Sequence, residues 1–202
     1  MNELHRALGD ISSIRRQMAR STEFLGYGPA TLAATGVLAI LAAAGQALWL
    51  RHPSHHISAY LATWIATAVV SAGLIGMQMF DRSRRMHSDM ADEMILMAVE
   101  QFLPSVMAGA LMTFVLVRYA PAVLWILPGL WQVTFSLGVF SSCRFLPRSM
   151  AAAGVWYLLS GLFCISLADA RAFSPWAMGI PYGAGQLLVA GILLFNAQEG
   201  GK

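Results

Sequence analysis

Few side chains in this sequence could do chemistry, and they fall into three groups. The first is Glu100 with Gln101 and Pro104, inside a long apolar run. Proline has no N–H, so Pro104 leaves the carbonyl four residues back, that of Glu100, without its helical donor. A freed carbonyl and a carboxyl at one kink could receive a proton, a cation or an amine. An ionisable residue within an apolar run is a functional candidate by default. The competing reading is that Glu100 reaches the membrane interface or pairs with Arg82, Arg84, Arg85 or Arg144.

The second group is Gln132 and Gln186, each within an apolar run. An amide in hydrocarbon is costly unless paired. Gly179, Gly183 and Ala190 share a helical face with Gln186, and small residues let a neighbouring backbone come close enough for Gln to bond across the contact. The structural reading is glue between the fourth and sixth apolar runs, or between two copies. The functional reading is a polar pocket for a small ligand near the membrane midplane. The stretch Pro128-Gly129-x-x-Gln132-x-x-x-Ser136 resembles Pro181-x-Gly183-x-x-Gln186-x-x-x-Ala190, which places the two glutamines at similar depth if the runs are parallel repeats.

The third group is His52, His55 and His56 on a short polar turn, with Asp169 on another turn as a fourth donor for a closed zinc site. Its alternative is a solvated turn. Met86, Met90, Met94 and Met97 also follow one helical face; thioethers suit Cu(I), and pliable packing explains them equally. The sequence has no histidine within an apolar run for haem ligation, no Gly-rich phosphate loop, no CxxC pair, no H-E-x-x-H and no G-x-S-x-G setting. No catalytic residue and no cofactor is indicated, and the reading leans away from an enzyme.

The elements that must position these residues follow from composition. Of 202 residues, 57% are apolar and 11% charged, whereas a soluble domain carries about 25% charged residues. The charges sit in short patches between apolar runs of about 20 residues, the length that crosses a bilayer. The fold class is all-α: a polytopic membrane protein of six spans, at about 29–50, 58–80, 95–117, 122–143, 149–168 and 175–196, arranged as three helical hairpins. The third helix is expected to begin near Ser88, an N-cap followed by Asp92 and Glu93. Two units result, a cytoplasmic amphipathic segment over 1–25 and a transmembrane domain over 26–202.

Within the first unit, Leu4, Leu8, Ile11, Ile14 and Met18 recur at helical spacing, with Arg6, Asp10, Arg16 and Arg20 on other faces. This pattern fits a helix on the inner leaflet, or one that docks a protein partner or a second copy through residues 2–22. Cleavage of the first apolar run as a signal peptide is not expected, because about 28 patterned residues precede it.

Orientation follows from the basic residues. Arg6, Arg15, Arg16, Arg20, Arg82, Arg84, Arg85, Arg144, Arg148 and Lys202 fall on one side of such a six-span chain, and Arg51, Arg118 and Arg171 on the other. The richer side is cytoplasmic, so both termini are cytoplasmic and the membrane is of the bacterial inner type. Trp49, Trp64, Tyr119, Trp125 and Trp176 would then form an outer aromatic belt. The net charge of +3 is scattered beside the spans and forms no nucleic-acid surface. Cys143 and Cys164 fall at opposite ends of adjacent spans and are expected to be free thiols.

Three functions fit: a small regulatory, interaction or ligand-sensing membrane protein; a small-solute transporter or channel using Glu100, Gln101, Gln132 and Gln186; or a membrane metal-binding protein or enzyme using the histidines. The lipid bilayer is the partner common to all three. Too few ionisable residues lie within the spans for a typical proton-coupled carrier, which favours the first.

Overall fold

The computed structural model describes residues 28–50, 56–86, 89–143 and 148–199. Within these it is all-helical, with six α-helices: α1 (Pro29–Trp49), α2 (Ile57–Met86), α3 (Asp89–Tyr119), α4 (Leu127–Ser142), α5 (Ala151–Ser166) and α6 (Pro175–Glu199). Five segments are long and apolar enough to cross a membrane: Pro29–Trp49, Ile57–Asp81, Glu100–Tyr119, Pro121–Ser142 and Pro175–Phe195. The chain is a membrane-embedded helical protein. The amphipathic segment near the N-terminus, with His52 and His55, lies outside the described residues.

Local sequence sets the helix ends. Gly28 precedes α1, and Pro29 occupies its first turn, where a missing N–H leaves nothing unpaired. Pro121 opens a 3-10 turn, Pro121–Ile126, ahead of α4. The sequence reads this turn as part of a span because it is wholly apolar. α5 is also shorter than the expected run. Arg148–Met150 forms a 3-10 turn before it, and Ala168, at φ 53°, adopts the left-handed conformation that stops a helix just after it. At 16 residues, α5 is about 24 Å long at 1.5 Å per residue. Met86 ends α2 while Met90, Met94 and Met97 lie on α3, so the methionine stripe is not one continuous helical face.

Each expected hairpin forms, but the closest packing lies between hairpins. α1 packs most extensively on α6, and α4 on α5. The neighbours run in the order α2, α1, α6, α5, α4, α3; α2 and α3 are consecutive in the chain yet scarcely touch. Helices in lipid gain little from burying apolar surface, so contact is decided by how closely backbones approach.

Glycine makes that approach possible at both main interfaces. A Cβ on Gly161 of α5 would lie 2.8 Å from the Gly129 carbonyl oxygen, and one on Gly129 of α4 2.6 Å from the Gly161 carbonyl oxygen. A Cβ on Gly36 of α1 would lie 2.9 Å from the Gly183 carbonyl oxygen of α6. The same interfaces seat the glutamines: Gln132 Cβ would stand 3.0 Å from a Cβ on Gly161, and Gln186 Cβ 3.1 Å from one on Gly36. The Gly-x-x-Gln pattern thus marks the same kind of helix contact twice.

The apolar core fills the spaces between these seams. One cluster gathers Ala39, Ala43, Tyr60, Leu61, Trp64, Leu124, Leu127, Phe173 and Met178; another joins Leu32, Met150, Ala190 and Leu193. Both cysteines are free, Cys164 buried and Cys143 half-buried.

Candidate functional site: a polar seam around Pro181

Pro181 lies inside α6 and cannot donate to the carbonyl four residues earlier, that of Ala177. Gln132 of α4 supplies the missing donor: its Nε2 donates to the Ala177 carbonyl oxygen at 2.9 Å. The same amide nitrogen lies 3.7 Å from Met178 Sδ. From the other side, Trp156 Nε1 of α5 donates to the Pro181 carbonyl oxygen at 2.9 Å. One turn of α6 is therefore clasped by side chains from α4 and α5. In lipid, an imide residue within a helix is tolerated when neighbouring helices satisfy the freed carbonyl in this way.

Tyrosines from three helices extend the seam. Tyr60 of α2 and Tyr157 of α5 are fully buried, and Tyr157 packs beside Tyr182 of α6. The rings of Tyr157 and Tyr182 stand 5.4 Å apart, and Phe135 meets Tyr157 edge-on at 4.7 Å. The Tyr60 ring meets Phe173 edge-on at 5.3 Å. The Tyr157 ring lies directly against Gly185, where a Cβ would collide with its hydroxyl. Among the described residues, Tyr60 Oη, Tyr157 Oη and Gln132 Oε1 are buried with no hydrogen-bond partner.

A second polar clasp joins α1 to α2. Gln46 Oε1 accepts from Trp64 Nε1 at 3.0 Å, and Gln46 Nε2 donates to the Tyr60 carbonyl oxygen at 3.4 Å. Trp64 is therefore a buried donor in the core, not part of an aromatic belt; a buried indole N–H needs an acceptor, and Gln46 provides it. Trp49 and Tyr119 are exposed, at 90% and 71%. Between α3 and α4, Trp131 Nε1 donates to Thr113 Oγ1 at 2.8 Å.

The residues singled out in the sequence are dispersed. Gln132 is buried in the seam, whereas Gln186 is half-buried against α1 and makes no hydrogen bond among the described residues. The two glutamines are not at one depth. Gln132 is level with Ala177, nine residues before Gln186 on α6, or about 13 Å of helix. The offset arises because the 3-10 turn uses up Pro121–Ile126 before α4 begins, so Gln132 lies close to its start. Gly179 and Gly183 face α1, at Ala43, Ala39, Ile40 and Gly36, and Ala190 packs in the cluster with Leu32 and Met150.

Glu100 and Gln101 are exposed on α3 at the start of its apolar stretch, turned away from the other glutamines. Glu100 makes no ion pair among the described side chains, and the side chains of Arg82, Arg84, Arg85 and Arg144 lie outside them. Pro104 lies within α3, which continues through it. Of the three histidines, His56 is described; it is exposed, and its carbonyl oxygen accepts from the Tyr60 N–H at the start of α2. Asp169 is bound to Arg171, whose Nε lies 2.8 Å from its Oδ2. Hydrogen bonds from the Arg171 side chain and backbone N–H hold the Asp169 carboxyl below the usual range. Among the described residues, no three His, Cys, Asp or Glu side chains come together as a metal site requires.

Sequence reasoning missed Gln46, Tyr60, Tyr157 and Tyr182. The signal for Gln46 was present, since it is an amide within an apolar run just as Gln132 is. The partner of Gln132 was also accessible: the argument applied to Pro104 finds the Ala177 carbonyl when applied to Pro181. No protein-family model, curated protein or solved structure matches the chain. Fold and site together define a helical membrane protein with an uncharged polar seam through its centre.

Proposed function

We propose that the chain is a six-span protein of a bacterial-type inner membrane that acts by regulation or interaction with a membrane partner. In this reading α5 is the sixth span. Its antiparallel seam with α4 supports it, since the Gly129–Gly161 contact and the packing of Phe140 on Gly154 are about 10 Å apart along α5. Both termini and the Arg82–Arg85 patch lie on the cytoplasmic side, with residues 3–22 forming an amphipathic helix there.

The observation that carries the reading is the position of Glu100 and Gln101. They are exposed on α3, and the apolar stretch Glu100–Tyr119 has no buried residue. The ionisable group that a carrier would place between its helices instead faces outward, where a partner's polar or basic group can reach it. A thermal-shift screen of the purified protein with metals, amines, lipids and small metabolites tests this. A site holding ligand at 100 times its dissociation constant stabilises the fold by about 2.7 kcal/mol. The interaction reading expects no shift that depends on Glu100; a metabolite-induced shift abolished by Glu100→Gln sinks it.

The second reading, solute sensing or transport through the bundle, draws support from the unpartnered oxygens at Gln132, Tyr157 and Tyr60. Flux into proteoliposomes that falls in Gln132→Leu but is unchanged in Glu100→Gln favours it. The dispersal of Glu100, Gln132 and Gln186 speaks against one pathway that uses all three.

A further inference from the structure

Pro104 and Pro181 each lie inside a helix, and the carbonyls they free are served differently. In α6 the Ala177 carbonyl is taken up by Gln132 of a neighbouring helix. In α3 the carbonyl of Glu100 loses its helical donor to Pro104 in the same way. Among the described residues, the side-chain hydrogen bonds on α3 are those of Thr113, which donates to the Gly109 carbonyl and accepts from Trp131, well beyond Glu100. The difference follows from packing. α3 meets α4 through Phe102, whose ring lies against Gly138, and through Gly109 and Thr113. At about 3.6 residues per turn, Glu100 is half a turn away from these, with Pro104, Met107 and Leu111 following it on the far side. Glu100, Leu103, Pro104, Met107 and Leu111 are all exposed. A helix carbonyl opens toward the residues three and four further on, here Leu103 and Pro104, so the freed oxygen and the carboxylate share one open face. That carbonyl points along the helix into the apolar stretch Glu100–Tyr119, where an unpaired group is costly.

We infer that this face of α3 seats a transmembrane helix of a different protein, and that the helix brings a lysine or arginine that donates both to the Glu100 carboxylate and to its proline-freed carbonyl. The acceptors define the partner group. The carboxylate calls for a cation and the carbonyl for an N–H. An ammonium with three donors or a guanidinium with five meets both needs. Leu103, Met107 and Leu111 make the rest of the face apolar, as a spanning helix requires. A second copy does not fit. A two-fold axis normal to the membrane would bring this face against itself with Glu100 opposite Glu100. A lipid ammonium has the right donors but lies at the headgroups, whereas the carbonyl points into the hydrocarbon, where a side chain on a spanning helix can reach it. The inference rests on the interaction reading and adds the chemistry of the partner. It also gives Pro104 a part in recognition, as the residue that keeps the carbonyl free.

The test uses the purified protein in choline-lipid liposomes with three synthetic spanning peptides. Each is a leucine–alanine helix carrying lysine, trimethyl-lysine or norleucine near both ends, so that its direction of insertion does not matter. Energy transfer between dyes on protein and peptide reads association. Trimethyl-lysine keeps the charge and has no N–H. The lysine peptide should bind most tightly. Glu100→Gln should weaken it about tenfold, the loss of a charged partner. Pro104→Ala, which returns the N–H to the helix and does not threaten its folding, should weaken it about threefold, the worth of an average interhelical polar contact. The trimethyl-lysine peptide should respond to Glu100→Gln and ignore Pro104→Ala, since it has no hydrogen to give the carbonyl. If the lysine peptide binds no better than the norleucine peptide and Glu100→Gln changes nothing, the interaction reading itself falls. If Glu100→Gln weakens the lysine peptide and Pro104→Ala does not, that reading stands and the inference is overturned. Repeating the measurement in ethanolamine lipid separates the two sources of an ammonium. Lysine-peptide binding that survives supports the helix partner. Binding that is lost, with ethanolamine lipid retained on the protein in native mass spectra but not on Glu100→Gln, marks a headgroup site and overturns it.

Discussion

Replacing Gln132 with leucine removes the donor that serves the Ala177 carbonyl, and the cost of that loss should depend on Pro181. With proline in place, no backbone N–H can take over, and the carbonyl is left unpaired inside the bundle. Leaving a buried acceptor unsatisfied costs about 1–3 kcal/mol. Interhelical polar contacts in membranes average about 0.6 kcal/mol and reach about 1.7. The two ranges together put Gln132→Leu at about 1–2 kcal/mol of lost stability. In a Pro181→Ala background, the alanine N–H restores the helix's own bond to Ala177. The glutamine's contribution then falls to within about 0.5 kcal/mol, giving a coupling energy of about 1 kcal/mol in a double-mutant cycle. Reversible unfolding in mixed micelles with increasing SDS, followed by far-UV circular dichroism, measures all four corners. If Gln132→Leu costs the same with and without Pro181, the amide does not serve the proline-freed carbonyl and the reasoning fails.

Glycine substitutions should divide by what a Cβ meets. Gly129→Ala and Gly161→Ala press a methyl onto backbone oxygens at 2.6 and 2.8 Å, and each should destabilise by about 1–3 kcal/mol in the same unfolding assay. Gly73→Ala and Gly76→Ala on α2 meet nothing within 4 Å, and each should be neutral or stabilising by up to about 1 kcal/mol through helix propensity. Gln46→Leu should cost about 1–2 kcal/mol, since it strands the indole N–H of buried Trp64; Trp64→Phe in that background should recover part of the loss. Glu100→Gln should leave the unfolding midpoint unchanged, because its side chain is exposed.

The residues explain how far the sequence could be read. Helix positions were accessible because apolar runs near 20 residues between charged patches have one physical solution in a bilayer, and α1, α2 and α6 begin within a residue of their expected starts. The exceptions have local causes. Pro121–Ile126 is apolar but coils as a 3-10 turn, and α5 stops early at the left-handed Ala168. Helix pairing was much harder to read. Apolar residues surround every span, so hydrophobicity cannot say which face turns inward. That information lies in the glycines, and only those of α6 were recognised, without their partner α1. Within the site, Gln132 stood out as an amide in hydrocarbon, while Tyr60, Tyr157 and Tyr182 passed as ordinary aromatic residues. The hydroxyls of Tyr60 and Tyr157 gain meaning only once they are seen to be buried without a hydrogen-bond partner. Trp64 shows the opposite error: its place near a span end suggested an interface residue, but its N–H is used within the core.

Site-specific photocrosslinking in intact membranes would show whether the chain acts through its outward face. A benzophenone amino acid placed at Gln101, and in a separate variant at Met107, samples the exposed side of α3 at two depths. A chain that binds a partner there should give a discrete protein adduct from position 101 that disappears when Glu100 is changed to glutamine. Adducts to lipid alone at both positions, with the protein integrated and folded, would contradict it.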